Sequence, residues 1–132
     1  MKLVLSSMCI VLLFATNSCK KADLTNELVP IKMGECGAQM INGNSVSICY
    51  NELLEDNRCP INYVCLQEGV ARARFTFKAK GQEASFELAT FSMNSVYVQD
   101  TVLFGFKIHL VDLLPYPGNA NSNPVAKLQI TQ

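Results

Sequence analysis

The chain has 132 residues, with 11 basic and 11 acidic side chains, one histidine and a formal net charge of zero. This balance provides no field that would recruit nucleic acid or an anionic surface, so we expect no nucleic-acid partner. Hydrophobic residues make up 49% of the chain. Without a leader, the remaining length suits one small domain with a single core.

The N-terminus has the layout of a signal peptide over residues 1–18. One basic residue, Lys2, precedes a largely apolar run from Leu3 to Ala15, and a short polar group follows. A membrane-spanning helix needs about 20 apolar residues, so a permanent anchor helix is the weaker interpretation. We predict that the leader is removed.

Cys19 follows Ser18 directly and precedes Lys20 and Lys21. A small residue before a cysteine resembles the lipobox of bacterial lipoproteins, whose cysteine carries acyl chains such as palmitate and becomes the mature N-terminus. The resemblance implies lipid attachment at Cys19, a tether over residues 19–27 and an envelope location, with the lysine favouring the outer membrane. Several acyl chains hold a protein on a membrane more firmly than one. The alternative is a secreted chain whose Cys19 is free or paired.

Four cysteines remain when Cys9 is assigned to the leader and Cys19 to the lipid, namely Cys36, Cys49, Cys59 and Cys65. An even number in an exported chain indicates disulfides. Of the three possible connectivities we favour the local one, first with second and third with fourth. A zinc site is the weaker interpretation, because the spacings match no common ligand pattern and His109 lies far downstream. We expect no metal and no cofactor.

The region 28–132 is predicted to be a β-sandwich domain made of short strands. Residues 28–33 suit an edge strand, since Pro30 cannot donate a ladder hydrogen bond. Residues 45–50 alternate, with apolar side chains on one face. A hairpin turn at Asn42-Gly43 would bring Cys36 opposite Cys49.

The clearest alternation covers residues 70–80 and predicts a half-buried strand. Its inward side chains are Ala71, Ala73, Phe75, Phe77 and Ala79. Gly81-Gln82 suits a two-residue type II′ turn into a returning strand over 83–90. This turn predicts three facing inward pairs, namely Ala79 with Ala84, Phe77 with Phe86 and Phe75 with Leu88.

Residues 91–100 are predicted to form a short strand or a loop, 103–114 one strand with a bulge at Gly105, and 125–131 a last strand. No stretch outside the leader has a sustained helical period. Seven or eight short strands predict an all-β fold, an antiparallel β-sandwich of immunoglobulin-like type. An open β-barrel is the alternative.

Residues 55–69 and a later Pro115-Tyr116-Pro117 resemble a family of small Bacteroidetes-type envelope lipoprotein domains. In that family an acidic residue, Ser, Arg, Cys and Pro precede a second Cys, a Trp and a Gly. The matching residues here are Asp56, Arg58, Cys59, Pro60, Cys65 and Gly69, with Asn57 in place of Ser and Gln67 in place of Trp. The resemblance implies an envelope location and a β fold, and it implies no settled activity.

We find no catalytic constellation, because His109 points outward on a regular strand and no serine lies in a Gly-x-Ser-x-Gly context. We therefore predict a non-enzymatic, lipid-anchored envelope protein with a binding or structural role and, in the binding case, an envelope protein partner. The alternative is a protease inhibitor or toxin-immunity lipoprotein, whose rigid loop presents Ile61, Asn62 and Tyr63 at a low ordering cost.

Each of three arginines has either a structural role or a role in binding a partner. Arg58 either holds the loop by pairing with Asp56 or a backbone carbonyl, which we favour, or projects toward a partner. Arg72 and Arg74 either form a binding patch or are matched by acidic residues on the neighbouring strand.

Overall fold

The computed structural model describes residues 28–119 and 122–132. The predicted signal peptide, Cys19 and the tether lie outside the described residues. The described chain consists of strands, turns and loops, and it holds no helix long and apolar enough to span a membrane.

Eight strands form two antiparallel four-stranded sheets, with orders β1-β8-β7-β6 and β2-β3-β4-β5. Their bounds are β1 Leu28–Lys32, β2 Cys36–Ile41, β3 Asn44–Asp56, β4 Ala71–Ala79, β5 Gln82–Ala89, β6 Asp100–Leu103, β7 Phe106–Leu114 and β8 Val125–Thr131. The predicted β-sandwich is confirmed, and the sheets are not closed into the alternative barrel.

The chain crosses between the sheets only from β1 to β2 and from β5 to β6, so each sheet is otherwise an up-and-down meander. This order places the turns and connections at two opposite ends of the sandwich, which we call the entry pole and the loop pole. The entry pole holds the start of β1 and the short turns 42–43, 80–81 and 104–105. The loop pole holds the long connections 57–70, 90–99 and 115–124.

The core lies between the inward faces predicted from the alternation. Tyr50 packs on Phe75 with ring centroids 5.2 Å apart, and Phe77 meets Phe106 edge to face at 5.7 Å. All four side chains are fully buried. Burial of a large apolar side chain contributes about 1.5–3 kcal/mol, and the aromatic pairs add roughly 0.5–1.5 kcal/mol each.

The predicted register of β4 and β5 is wrong by two residues. Phe75 pairs with Phe86 and Phe77 with Ala84, because the turn residues are Lys80 and Gly81. Both have positive φ, 52° and 73°, as a type I′ turn requires. A displacement of two leaves every side chain on its predicted face.

The predicted strand over 103–114 is interrupted, because Phe104-Gly105 forms a third tight turn with φ of 55° and 84°. Gly105 therefore lies in a turn, and the irregularity of β7 falls after Leu110, where it lets Leu113 point inward. Residues 91–99 form a loop, not a strand.

Both predicted disulfides are present. Cys36 and Cys49 lie directly opposite each other on β2 and β3, beyond the hairpin turn at Asn42-Gly43. Cys59 and Cys65 close a short loop at the loop pole. By loop-closure entropy the two bridges contribute on the order of 2–3 kcal/mol each.

The turns Lys80-Gly81 and Asn42-Gly43 predict two changes of stability with opposite signs. We expect Lys80→Asn to raise the free energy of unfolding by about 0.5–1 kcal/mol, because asparagine tolerates positive φ. The gain is reduced by loss of the Lys80 contact to the Phe106 ring, 5.1 Å from Nζ to centroid. Asn42→Lys creates the unfavourable turn and should cost about 1 kcal/mol. Denaturant unfolding measures both, and shifts in the same direction would contradict the argument.

Candidate functional site

The connection 57–70 leaves the end of β3 and returns to β4 through a tightly closed neck. The Asn57 N–H donates to the Val70 oxygen at 2.9 Å. Only glycine fits at position 69, because a Cβ there would lie 1.5 Å from the backbone oxygen of Asn57. Beyond this neck, the bridge between Cys59 and Cys65 closes residues 59–65, which we call the disulfide loop.

The disulfide loop contains one tight turn. The Tyr63 N–H donates to the Pro60 oxygen at 3.2 Å, and Asn62 has φ of 75°. A positive φ at the third residue is the requirement of a type II turn, and asparagine is one of the few side chains that tolerates it. The Ile61 N–H also donates to the Pro117 oxygen at 3.3 Å, which fastens the loop to the segment before β8.

Apolar side chains protrude into solvent from this loop and from the residue directly after it. Ile61 is 50% exposed and Tyr63 is 73% exposed, while Val64 and Leu66 are fully exposed. We call these four residues the apolar tip. Their exposure is the feature that separates a binding loop from a purely structural staple. Val64 and Leu66 were not singled out from the sequence, although they flank Cys65 in the one stretch already suspected of presenting side chains.

Arg58 is not part of the exposed surface but lies buried beneath the loop, with its side chain 4% exposed. Its Nε and Nη2 donate to the two carboxylate oxygens of Asp56 at 2.8 and 2.7 Å. Nη1 donates to the Leu113 oxygen, and Nη2 also donates to the Pro115 oxygen at 3.1 Å. The guanidinium carbon lies 4.3 Å from the centroid of the Tyr116 ring.

These contacts support the structural role of Arg58 and not a projecting one. Burial opposes its charge, but the hydrogen bond and the charge of Asp56 outweigh this, so the pKa of Arg58 is raised. Asp112 adds a second carboxylate, with one oxygen 3.6 Å from Nη1. Because Asp56 belongs to β3 and Leu113 to β7, the guanidinium joins the two sheets at the loop pole.

A cavity of about 220 Å³ opens beside the disulfide loop. Its wall is formed by Tyr50, Leu53, Arg58, Leu113, Tyr116 and Pro124 together with neighbouring residues of the same segments. The Tyr50 side chain is fully buried, and its hydroxyl has no hydrogen-bond partner within residues 28–119 and 122–132. Burial, aided by the charge of Asp56, raises the pKa of Tyr50 to about 12.

Arg72 and Arg74 are matched by acidic residues and do not form a free basic patch. Arg72 pairs with Glu55 at 3.0 Å and with Glu87 at 3.1 Å. Arg74 pairs with Glu87 at 2.9 Å and also with Glu52. Three glutamates against two arginines leave this face without excess positive charge.

The single histidine of the chain lies near an acidic side chain on the neighbouring strand. His109 is half-buried on β7, with Nδ1 3.8 Å from the carboxylate of Asp100. Among the described residues no group of three or more His, Cys, Asp or Glu side chains is placed to hold a metal ion.

No protein-family model, curated protein or solved structure matches this chain. The likeness to envelope lipoprotein domains therefore stays a resemblance. Its residues do come together in space, because Arg58 binds Asp56 and contacts the Pro115-Tyr116-Pro117 segment. A function must be inferred from the loop pole itself.

Loss of the branched guanidinium group of Arg58 should strongly destabilise the fold. Arg58→Lys keeps one charge but cannot bind Asp56 and two carbonyls at once, so we expect the free energy of unfolding to fall by about 2–4 kcal/mol. Arg74→Lys is the matched control, since its ion pairs are partly exposed and screened by solvent and should change stability far less. If the two variants lost equal free energy of unfolding in urea, the result would contradict the role of Arg58 in joining the two sheets.

Tyr50 should titrate late in the folded protein. Its folded pKa of about 12 exceeds the ordinary value of 10.0, so it contributes stability that is complete below pH 10 and is lost as the pH rises toward 12. The shift corresponds to about 2–3 kcal/mol. Tyrosinate absorbance during an alkaline titration measures it.

The variant Tyr50→Phe shows which tyrosine gives the last absorbance rise. This control is needed because the pKa of Tyr97 is also raised, chiefly by its hydrogen bond to Glu55. We expect the variant to lose the last absorbance rise and to keep the Tyr97 step. Persistence of the last rise would contradict the assignment.

Proposed function

We propose that this protein is a lipid-anchored, non-enzymatic binding domain of the bacterial envelope that docks a protein partner through the apolar tip. The observation that carries the proposal is the exposure of Ile61, Tyr63 and Val64 on a loop closed by a disulfide, and of Leu66 directly after it. A chain gains nothing in stability from apolar side chains held in water. Clustered exposed apolar groups are typical of interaction sites.

The loop is ordered in advance of binding. The disulfide, the turn at Asn62 and the hydrogen bond from Ile61 to Pro117 restrict its backbone. Ordering a loop on association normally costs free energy, so a loop that is already fixed binds more tightly with the same contacts. The arrangement favours a binding element over a flexible linker.

The composition of the loop favours a protein over a membrane as its target. Residues 59–67 contain no charged side chain, so nothing there attracts anionic lipid headgroups. Two further exposed apolar side chains, Met93 and Val96, lie on another connection at the same pole. An apolar, uncharged surface suits an apolar recess on a partner protein.

The positions of the two poles support an orientation in which the apolar tip points away from the membrane. The described chain begins at Leu28 at the entry pole, and the apolar tip lies at the loop pole. The nine residues of β4 separate the poles by roughly 30 Å. A lipid on Cys19 would therefore hold the entry pole toward the membrane and the apolar tip away from it.

A protease inhibitor or immunity protein is the second candidate, favoured by the protrusion of Ile61 and Tyr63. A loop that mimics a substrate must pair its backbone with the target as an extended strand. The turn at Asn62 prevents this over residues 60–63. Inhibition would then require the apolar tip to plug a site instead of imitating a substrate.

Affinity capture from the native envelope tests the proposal. We expect the wild-type protein to recover one stoichiometric protein, and the double variant Tyr63→Ser and Leu66→Ser to reduce recovery by more than about tenfold, as loss of anchor residues does. Met40→Ser with Val102→Ser is the matched control, because it removes two exposed apolar side chains near the entry pole.

Cys19→Ser separates the anchor from the loop. It should move the protein out of the membrane fraction while purified protein still captures the partner. Equal capture by the tip variant and the control variant would refute the docking role of the apolar tip. Recovery of an inactive protease or toxin would favour the second candidate.

A further inference from the structure

The outer edge of β2 has a row of backbone groups without partners among the described strands. β2 pairs there with β3 alone. The Cα atoms of Cys36 and Cys49 are 3.9 Å apart, which fits a pair that exchanges no ladder hydrogen bonds, about 4.5 Å, and not one that does, about 5.5 Å. Because the two kinds of pair alternate, the N–H and C=O groups of Cys36, Ala38 and Met40 point away from β3. Within residues 28–119 and 122–132 these groups have no backbone partner.

The other three edges of the described sheets carry features that oppose pairing with a further strand. β1 contains Pro30 and Lys32, β6 is only four residues long, and β5 contains two glutamates, Glu83 and Glu87. Proline, charge and short length are means by which sheet edges avoid unwanted pairing. β2 has six residues, pairs with β3 without a bulge and contains neither proline nor a charged side chain. It is therefore the edge best suited to accept another strand.

β2 is extended and held in place before anything binds. The disulfide to Cys49 fixes one end, and the tight turn Asn42-Gly43 fixes the other. The side chains of Cys36, Ala38 and Met40 are exposed on the outer face beside the row. A strand that is already ordered loses little conformational freedom on binding.

The inner side of this edge favours apolar side chains. Gly37 lies against β1, where an added Cβ would be 3.2 Å from Cγ1 of Val29. Val29 is only partly buried. A strand added about 4.8 Å beyond β2 directs alternate side chains toward β1 and Val29. Apolar groups there would cover Val29 further, whereas a charged group would lose water beside an apolar side chain.

We propose that the β2 edge binds an extended segment of a partner polypeptide as an added antiparallel strand, with apolar side chains at alternate positions toward β1. An extended backbone repeats its donors and acceptors every two residues, about 7 Å, as the row on β2 does. Antiparallel pairing continues the arrangement of this sheet and is slightly the more stable of the two kinds.

The partner is another protein and not a second copy of this chain. β2 runs from the loop pole to the entry pole, so two copies joined antiparallel through β2 would direct their entry poles in opposite directions. That arrangement does not suit two chains anchored at Cys19 in one membrane. This choice rests on the proposed function, whereas the pairing of the edge rests on β2 alone. Met40 contributes only its backbone, so Met40→Ser leaves the row intact.

The pairing is tested with a hexapeptide of alternating valine and threonine, acetylated and amidated at its ends, added to the full-length chain as isolated from cells. Both residue types favour extended backbone. We expect saturable shifts of the amide signals of Cys36, Ala38 and Met40, and none at Glu83 or Ser85 on β5. No saturable shift, or equal shifts on both edges, would overturn the inference.

Two N-methylated forms of the peptide test the geometry without altering the protein. In the proposed pairing the valines face Val29 and the threonines lie beside Ala38, with the threonine N–H groups directed at β2. Methyl groups on the threonine nitrogens should weaken binding by more than about tenfold, since each lost hydrogen bond costs roughly 2- to 10-fold. Methyl groups on the valine nitrogens should leave it unchanged. The reverse result, or equal binding of both forms, would overturn the antiparallel assignment.

Ala38→Pro removes one N–H from the row and should weaken binding of the peptide by about tenfold, because the proline ring also obstructs the approach of a strand. Ser85→Pro is the matched control, since its N–H also points away from the neighbouring strand but lies on β5. It should bind the peptide as the wild type does. Equal affinities of the two variants would contradict the assignment to β2.

Two measurements identify the occupant and separate this edge from the apolar tip. Concentration-dependent shifts of the β2 amides without peptide would show that a second copy pairs there, and would overturn the choice of another protein. The Tyr63→Ser and Leu66→Ser double variant should bind the peptide as the wild type does, even if the docking role of the apolar tip fails. Loss of peptide binding in that variant would place the site at the tip and refute the β2 edge.

Discussion

The buried guanidinium of Arg58 is the contact on which the loop pole depends. It joins β3, through Asp56, to the end of β7, through Leu113 and Pro115, and it supports the ring of Tyr116. Cys59 follows immediately, so the position of the disulfide loop is determined by the same residue. An arginine can make these contacts together because its donors are arranged in a rigid fork.

The contacts of Arg58 explain why a disulfide and a cavity occur side by side. The segment 115–117 cannot collapse onto Tyr50, because Pro115 is bound to the guanidinium and Pro117 to the loop backbone. The apolar tip is held outward on one side of Arg58, and the cavity lies on the other. Rigid support of this kind lets a surface bind without first being ordered.

The register of β4 and β5 illustrates the limit of pattern reading. Both Gly81-Gln82 and Lys80-Gly81 are two-residue turns that keep Phe75 and Phe77 inward, so the alternation cannot choose between them. The structure selects the second, which places Phe86 opposite Phe75. Phe104-Gly105 was missed for a related reason, since the strand pattern continues through the turn while φ turns positive. A Lys or Phe at positive φ leaves no signal in composition.

The sequence by itself determined the all-β class and the inward faces. It favoured the local pairing among three for the four cysteines, which the structure then decided, and it drew attention to the stretch around Arg58. These depend on local quantities, namely period-two alternation, turn residues and short separations along the chain. Only the tertiary structure decided that Arg58 is buried and that the four side chains of the apolar tip protrude into solvent. It also decided that Tyr50 is unsatisfied beside a cavity. Those features arise where Asp56, Leu113 and Pro115 meet, and residues more than 50 positions apart leave no local pattern of their approach.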